Sequence, residues 1–258
     1  MKDTCTCYLS GKGKRLLPGL FVTVFWALGL ACDRGVDMHS GHEKLGDDFA
    51  SERQAMVERQ IKARGISDER LLNAMLRVPR HEFVPASQVN HAYEDNPLPI
   101  GYDQTISQPY IVAYMTNVLE LDGSERVLEV GTGSGYQAAL LCELADSVFT
   151  IEIVEPLCRR ARQVLNDQGY SRLQVRCGDG YSGWPEAAPF DAIIITASPP
   201  HIPAPLLDQL APGGIMVLPV GEQYQKLVRI QRQADGSLVR KDLIPVRFVP
   251  MTGQVEDE

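Results

Sequence analysis

The spacing of hydrophobic residues changes character along the chain. From about Phe49, apolar residues recur every three or four positions, which predicts two amphipathic helices that separate at Gly65. Ser67 is the predicted N-cap of the second helix. A loop rich in Pro and Gly follows, and a third helix is predicted to start with Ser107 as its N-cap and Pro109 close to its first position.

Short apolar runs alternate with helical patterns beyond residue 125. Parallel strands need helical crossovers, so this alternation predicts a parallel sheet, and two strands joined by "ADGS" then predict an antiparallel pair. The predicted fold is α/β: a doubly wound, mostly parallel seven-stranded sheet with a C-terminal antiparallel pair, Rossmann-like in class. The predicted strands are "RVLEV", "SVFTIEI", "LQVRCGD", "FDAIIITA", "IMVLPV", "QKLVRIQRQ" and "LVRKDLIPVRFVP", with a helix over "APLLDQLAPGG" before the fifth.

The first 48 residues differ from the rest. Lys12, Lys14 and Arg15 directly precede an uncharged apolar run over residues 16–30, and this order is typical of an export signal. Ala31-Cys32 resembles the end of a bacterial lipoprotein signal, in which the cysteine is acylated. We therefore predict a signal- or lipoprotein-like segment at 1–32, a polar linker at 33–48 and the folded domain at 49–258.

Composition and charge narrow the function classes. The 258 residues are 44% hydrophobic and 22% charged, as in a globular domain. A net charge of −8, with no dense basic stripe outside the N-terminus, argues against a nucleic-acid partner. The cysteines suggest neither a disulfide framework nor a zinc motif, and Cys142, Cys158 and Cys177 are expected to be small buried hydrophobic residues. The five histidines are scattered, and no metal site is predicted.

A glycine-rich turn follows the first predicted strand. Gly131, Gly133 and Gly135 alternate there, two residues after Glu129. The turn has no lysine for a phosphate, and Tyr136 stands where a dinucleotide fingerprint needs a small residue. Alternating glycines let a ligand approach the backbone closely. Together with the acid they suit a zwitterionic ligand without a pyrophosphate.

Two further acids follow the next strands. Glu152 ends the second strand, where a carboxylate can accept both hydroxyls of a ribose, and Asp179 follows the third, where it can accept from the amine of adenine. Acids at successive strand ends predict a site for S-adenosyl-L-methionine. Besides Glu152 and Asp179, the predicted site contains Glu129 and the three glycines of the turn, Gly131, Gly133 and Gly135. The alternatives are a solvated strand end for Glu152, an Asx-turn for Asp179 and a simple turn glycine at 135.

With these motifs in place, the chain resembles the protein-L-isoaspartate O-methyltransferases over about residues 56–250. The resemblance implies a class I methyltransferase fold and methyl transfer from S-adenosyl-L-methionine to the free carboxylate of L-isoaspartyl residues in damaged peptides and proteins. The ester then closes to a succinimide, which partly reopens to aspartate. The motifs are "MVERQI", "VPRHEFVP", "YEDNPLPIGYDQTISQP", "VLEVGTGSGYQAALL", "GDGYSGWPE", "FDAIIITASPPHIP", "LAPGGIMVLPVG" and "PVRFVP".

The chemistry agrees with the resemblance. A carboxylate with a pKa of about 4 is already ionised near neutral pH, so it needs no general base. The reaction joins an anion to a sulfonium cation, so it requires a dry pocket that holds the donor and the acceptor in line. By resemblance Ser107 is the residue that contacts the acceptor, and as an N-cap it would sit beside helix N–H groups. The alternative is a cap without a ligand role.

Two other functions share these features: a small-molecule O-methyltransferase, and a membrane-tethered binding module that has lost turnover. The predicted partners are isoaspartyl peptides and proteins, with a monomeric chain and a membrane tether through the N-terminus as a further option. The cytoplasm is the predicted location because S-adenosyl-L-methionine is made there. The alternative is an exported chain anchored through Cys32, whereas a start at Met38 or Met56 would remove the segment.

Overall fold

The structure is a computed structural model, and it describes residues 48–257. The predicted signal segment and nearly all of the predicted linker lie outside the described residues. In the described part, no helix is long and apolar enough to cross a membrane.

Six α-helices and nine strands form the described part of the chain. The helices are α1 (Ala50–Met56), α2 (Glu69–Arg77), α3 (Pro109–Val118), α4 (Tyr136–Cys142), α5 (Glu155–Asp167) and α6 (Ala204–Asp208). The strands are β1 (Leu98–Gly101), β2 (Gln104–Ile106), β3 (Arg126–Val130), β4 (Ser147–Glu152), β5 (Leu173–Cys177), β6 (Phe190–Ile195), β7 (Leu210–Val220), β8 (Gln225–Arg232) and β9 (Leu238–Val246). A π-helical turn (Val57–Ile61) continues α1, and short 3₁₀ turns occupy Lys62–Arg64, Arg80–Phe83, Ala86–His91, Pro185–Ala187 and Gln254–Asp257.

Seven strands form one sheet in the order β5-β4-β3-β6-β7-β8-β9. The first five are parallel, and β8 and β9 are antiparallel to their neighbours, as the sequence predicted. The chain leaves β3 toward β4 on one side and later returns to its other side with β6. The strand order therefore reverses beside β3, which is where open α/β sheets bind ligands at their carboxyl edge.

An apolar core covers each face of the sheet. Helices α2 to α5 pack on one face through residues such as Leu72, Met115 and Leu140. The other face packs residues such as Phe190 and Leu206. Both faces of the parallel strands are thereby buried, which explains why β3 and β6 are nearly continuous apolar runs.

Both predicted serine caps are wrong by one residue. Asp68 is the N-cap of α2, and its carboxylate accepts the backbone N–H groups of Arg70 and Leu71. A carboxylate also suits the positive end of the helix dipole, so it replaces Ser67 in this role. Gln108 is the N-cap of α3 and makes no side-chain cap hydrogen bond, and Pro109 occupies the first helical position. Ser107 lies one residue before the N-cap.

Two local elements also differ from the sequence prediction. The helix expected over residues 204–214 stops at Asp208, and β7 begins at Leu210. The residues between Leu210 and Ile215 form an irregularity in the pairing with β6, where Pro212 and Gly213 interrupt helical geometry. The Pro- and Gly-rich loop before Ser107 contains an unpredicted hairpin, β1–β2.

The expectation for two of the three cysteines was wrong. Cys158, in the first turn of α5, forms a disulfide with Cys177, the last residue of β5, with the Cα atoms 5.6 Å apart. Cys177 is exposed and pairs in register with Glu152. The disulfide therefore lies at the carboxyl edge of the sheet. Cys142 is free, and burial raises its pKa to about 12.

Candidate active site

A cleft opens at the carboxyl edge of the sheet, where the strand order reverses. Its empty volume, including the part open to solvent, is about 570 Å³. The ends of four parallel strands contribute to its lining: Gly131 and Gly133 follow β3, Glu152 ends β4, Gly180 follows β5 and Thr196 follows β6. We call this the first cleft.

The glycine-rich turn presents its backbone to the first cleft. Gly131 has φ +99° and Gly133 has φ +52°, values that side chains disfavour. A Cβ atom on Gly131 would collide with the hydroxyl of Thr196, which donates to the Gly131 carbonyl at 2.5 Å. Gly135 caps α4 and packs against Leu165, so close packing explains this glycine, which is not among the residues lining the cleft.

Glu152 lines the first cleft as a nearly buried carboxylate. Its Oε2 accepts the backbone N–H of Gly133 at 2.7 Å, and its Oε1 accepts that of Val154 at 2.9 Å. Burial raises the pKa of Glu152, and these backbone N–H groups act in the opposite direction. Each carboxylate oxygen can accept more than one hydrogen bond, so the group retains capacity for hydroxyls of a ligand.

Glu129 lies beneath the turn and is not among the residues lining the first cleft. It is completely buried, and Thr150 Oγ1 donates to its Oε2 at 2.5 Å, while Thr132 Oγ1 lies 2.5 Å from the same hydroxyl. Within residues 48–257 its Oε1 has no hydrogen-bond partner. Burial raises the pKa of Glu129 to about 8. Its contact with a cofactor stays a prediction.

Asp179 is an exposed residue near the same edge of the sheet. Its Oδ1 accepts the backbone N–H of Tyr181 at 2.8 Å, which is the Asx-turn considered from the sequence. Its Oδ2 accepts the backbone N–H of Gln254 at 2.6 Å. The neighbouring Gly180 lines the cleft, whereas contact between Asp179 and an adenine stays a prediction.

The C-terminal segment covers part of the first cleft. Ser198 donates its N–H to the Val249 carbonyl at 2.8 Å, and Met251 donates its N–H back to the Ser198 carbonyl at 2.9 Å. These bonds hold the segment against the end of β6, and residues 249–252 line the cleft. The sequence prediction assigned no site residue here, although "PVRFVP" was one of the motifs that carried the resemblance.

A second cleft adjoins the first and has an empty volume of about 1010 Å³ on the same measure. The two share Thr196 and Val249 as lining residues. Ser107 lines the second cleft and also a narrow cavity that reaches Gly131. The hairpin β1–β2 contributes to both clefts: Gln104 lines the first, and Thr105 lines the second. The sequence prediction assigned no site role to Thr196 or Gln104, although both lie within motifs that carried the resemblance.

Arg80 holds the backbone of Ser107 in place. This arginine is completely buried, and its guanidinium donates to the carbonyls of Ala92 and Ser107, at 2.7 Å each. It also lies 4.9 Å from the ring centroid of Tyr136, the first residue of α4. Burial lowers the pKa of Arg80 to about 10, so it remains a cation at neutral pH. One buried charge thus ties the segment of Ser107 to the helix that follows the glycine turn.

Among residues 48–257 there is no cluster of three or more His, Cys, Asp or Glu side chains that could hold a metal ion. The polar groups that line the two clefts in this part of the chain are backbone groups, hydroxyls, amides, a carboxylate and one guanidinium. Such groups bind and orient ligands by hydrogen bonding and charge.

Solved structures resemble the described fold. One, named protein-L-isoaspartate O-methyltransferase, superposes with a TM-score of 0.73 at 29% identity and covers 79% of this chain and 67% of its own. A Plasmodium falciparum protein described as a candidate of the same enzyme class, solved with S-adenosyl-L-homocysteine, gives a TM-score of 0.69 at 25% identity over 78% of this chain and 98% of its own. The predicted fold class is confirmed.

Sequence comparisons point the same way. A protein from Shewanella sediminis named protein-L-isoaspartate O-methyltransferase 2 is 58% identical over 203 residues, 78% of this chain and 83% of its own. A protein-L-isoaspartate O-methyltransferase from Geobacter metallireducens is 54% identical over 207 residues, 80% of this chain and 96% of its own. The family model described as protein-L-isoaspartate(D-aspartate) O-methyltransferase matches residues 51–256, so the chain belongs to this family.

Proposed function

We propose that the chain transfers a methyl group from the first cleft to a carboxylate held in the second. Methyl transfer from S-adenosyl-L-methionine to L-isoaspartyl residues, which starts their repair, is the activity of the family to which the chain belongs. The observation that carries the proposal is the junction of the two clefts, where Thr196 and Val249 line both. Donor and acceptor bound on the two sides of this junction are neighbours.

The residues of the first cleft fit the methyl donor. The backbone of the glycine turn leaves room that any side chain would occupy, and Glu152 offers a carboxylate for ribose hydroxyls. When bound, S-adenosyl-L-methionine supplies a methyl group made electrophilic by its sulfonium. We assign the binding role to Gly131, Gly133 and Glu152, with Glu129, Gly135 and Asp179 supporting the turn and the edge of the sheet.

The acceptor side needs no proton transfer. An isoaspartyl carboxylate is ionised at neutral pH, and one of its oxygens forms the new C–O bond as the donor's C–S bond breaks. The products are the methyl ester and S-adenosyl-L-homocysteine. The chain's residues therefore need only to orient the carboxylate and keep water out of the junction. In this proposal the hydroxyl of Ser107 donates to the carboxylate oxygen that does not attack.

The function is tested with a pair of peptides that differ only in one isoaspartyl or aspartyl residue. We expect the purified chain and S-adenosyl-L-methionine to label the isoaspartyl peptide and not its aspartyl twin. Equal labelling, or labelling of a metabolite extract alone, would favour a small-molecule O-methyltransferase. Tight binding of the donor without any ester would favour the binding module.

Replacing Ser107 with alanine is expected to impair the acceptor side of the site and to leave donor binding nearly unchanged. We expect kcat/KM for the isoaspartyl peptide to fall about tenfold or more, because a hydrogen bond to a charged group is lost. Affinity for S-adenosyl-L-homocysteine, measured by calorimetry, is expected to change less than about twofold. Ser237→Ala, in the β8–β9 turn, is the control. Lost donor affinity with normal transfer at saturation would move Ser107 out of the acceptor site.

The cytoplasm was predicted from the source of S-adenosyl-L-methionine; we propose instead the alternative, that the chain works outside the cytosol, tethered by a lipid on Cys32. In residues 12–32, basic residues are followed by an apolar run, and this order supports export. The Cys158–Cys177 disulfide supports it too, because disulfides persist in oxidising compartments. Cell fractionation with mass spectrometry of the unreduced protein tests this. Acylated Cys32 in the membrane fraction with an intact disulfide is expected; soluble cytoplasmic chain with reduced Cys158 and Cys177 would support the cytoplasm instead.

We propose that the domain is monomeric. The edge strand β9 carries Arg240, Lys241, Asp242 and Pro245, and charged residues and proline at a sheet edge oppose pairing with another chain. Sedimentation of the domain is expected to give the mass of one chain, and a twofold larger mass would contradict this.

A further inference from the structure

Arg247 occupies a distinctive position in the second cleft. It follows β9 directly, is exposed, and is one of eleven residues that line the cleft. Of these, Arg247 alone carries a formal charge. The others are apolar residues, hydroxyls such as Ser107 and Thr196, and one amide, Gln108.

The guanidinium of Arg247 is available for a ligand. No other residue in the described part of the chain, 48–257, forms a hydrogen bond or ion pair with its side chain. By contrast, Arg240, on β9 itself, is paired with Asp242 at 2.9 Å, and Arg229 on β8 is paired with Glu120 at 3.1 Å. An unpaired cation at the wall of a cleft attracts anions, and the planar guanidinium matches a carboxylate in geometry.

The charge of the whole chain makes this cation important. With a net charge of −8, the chain as a whole does not attract an anionic acceptor, so a local positive charge in the cleft favours its approach. On the proposed function, the acceptor that enters the second cleft carries a free carboxylate. Charge and position thus match at Arg247.

We infer that Arg247 binds the isoaspartyl carboxylate and sets the specificity of the second cleft for an anionic acceptor. This inference rests on the proposed function. Arg247 contacts the carboxylate during entry and in the bound complex, while Ser107 lies deeper, beside the narrow cavity that reaches the glycine turn. Because the contact exists before the methyl group moves, it contributes to binding more than to the chemical step.

The test compares Arg247→Gln with wild type on an isoaspartyl peptide whose flanking residues are neutral. We expect KM to rise about tenfold or more, with kcat lowered less than about threefold, because the lost interaction is already made in the bound ground state. We also expect the decline of kcat/KM with added salt to weaken, because screening acts on the attraction between Arg247 and the peptide. Affinity for S-adenosyl-L-homocysteine is expected to stay unchanged.

Arg240→Gln is the matched control, since it removes the same charge from the exposed, ion-paired part of β9. Its KM is expected to equal that of wild type. An unchanged KM in Arg247→Gln would overturn the inference. So would a KM that rises only for peptides with acidic flanking residues, because Arg247 would then contact the flank. If wild type labels no isoaspartyl peptide, the proposed function fails first, and this inference fails with it.

Discussion

Replacing Gly133 with valine is expected to weaken donor binding strongly while leaving the domain folded. A Cβ atom at this position would meet only the side chain of Ile100, at 3.5 Å, so the fold has room for it. The rest of the valine side chain would occupy the first cleft. Overpacking costs about 1–3 kcal/mol, so affinity for S-adenosyl-L-homocysteine should fall by roughly 10- to 100-fold in calorimetry. Valine keeps the N–H that donates to Glu152, so space is what is lost.

The control for this experiment is Gly236→Val. Gly236 has φ +86° in the β8–β9 turn, and a Cβ atom there would meet nothing within 4 Å. Both variants place a β-branched residue at a positive φ, so both should lose stability in a thermal melt, by about 1–3 kcal/mol. Only Gly133→Val should lose donor affinity. Unchanged affinity in Gly133→Val would show that the ligand lies elsewhere.

The part of the site that follows from strand ends was predictable. Parallel strands end at one edge of the sheet, so the glycine turn after β3 and Glu152 at the end of β4 had to meet, and both line the first cleft. Glu129 differs because it lies within β3 and not beyond its end. Its side chain is therefore enclosed between the sheet and its neighbours, where Thr150 is its partner.

Contacts that depend on tertiary packing were not predictable. Gln104 reaches the first cleft through a hairpin whose strands are too short and too rich in Pro and Gly to show a period. Residues 249–252 reach it from the end of the chain, more than 100 residues from the glycine turn. No local pattern records such approaches, so the resemblance alone had marked these segments.

The disulfide was missed although the topology contains it. A crossover helix starts at the carboxyl edge of the sheet and descends, and the next strand climbs back to that edge. A cysteine in the first turn of α5 and one at the end of β5 therefore meet, despite 19 residues of separation. Counting cysteines for a framework or a metal motif does not detect this arrangement; placing Cys158 and Cys177 on the predicted sheet does.

The free energy of unfolding should depend on pH through Glu129. Its pKa rises from the ordinary 4.5 to about 8 on folding because the side chain is completely buried. The folded state therefore holds a proton that the unfolded chain has lost between these values. The contribution of this bound proton to the free energy of unfolding is fully present below about pH 4.5 and is lost as the pH rises to about 8. At about 1.4 kcal/mol per pH unit, the total change is on the order of 5 kcal/mol.

Glu129→Gln isolates this contribution, because an amide resembles the neutral acid in shape and stays uncharged. In urea unfolding, the variant should match wild type near pH 4.5 and become progressively more stable than it up to about pH 8, where the difference levels off. Thr150→Val removes a hydrogen bond that lowers the pKa of Glu129, so the loss of stability should then extend to higher pH. A difference between Glu129→Gln and wild type that does not vary with pH would mean that Glu129 is already ionised in the folded chain. The carboxylate would then need a cation or a solvent path that its buried position beneath the glycine turn does not provide.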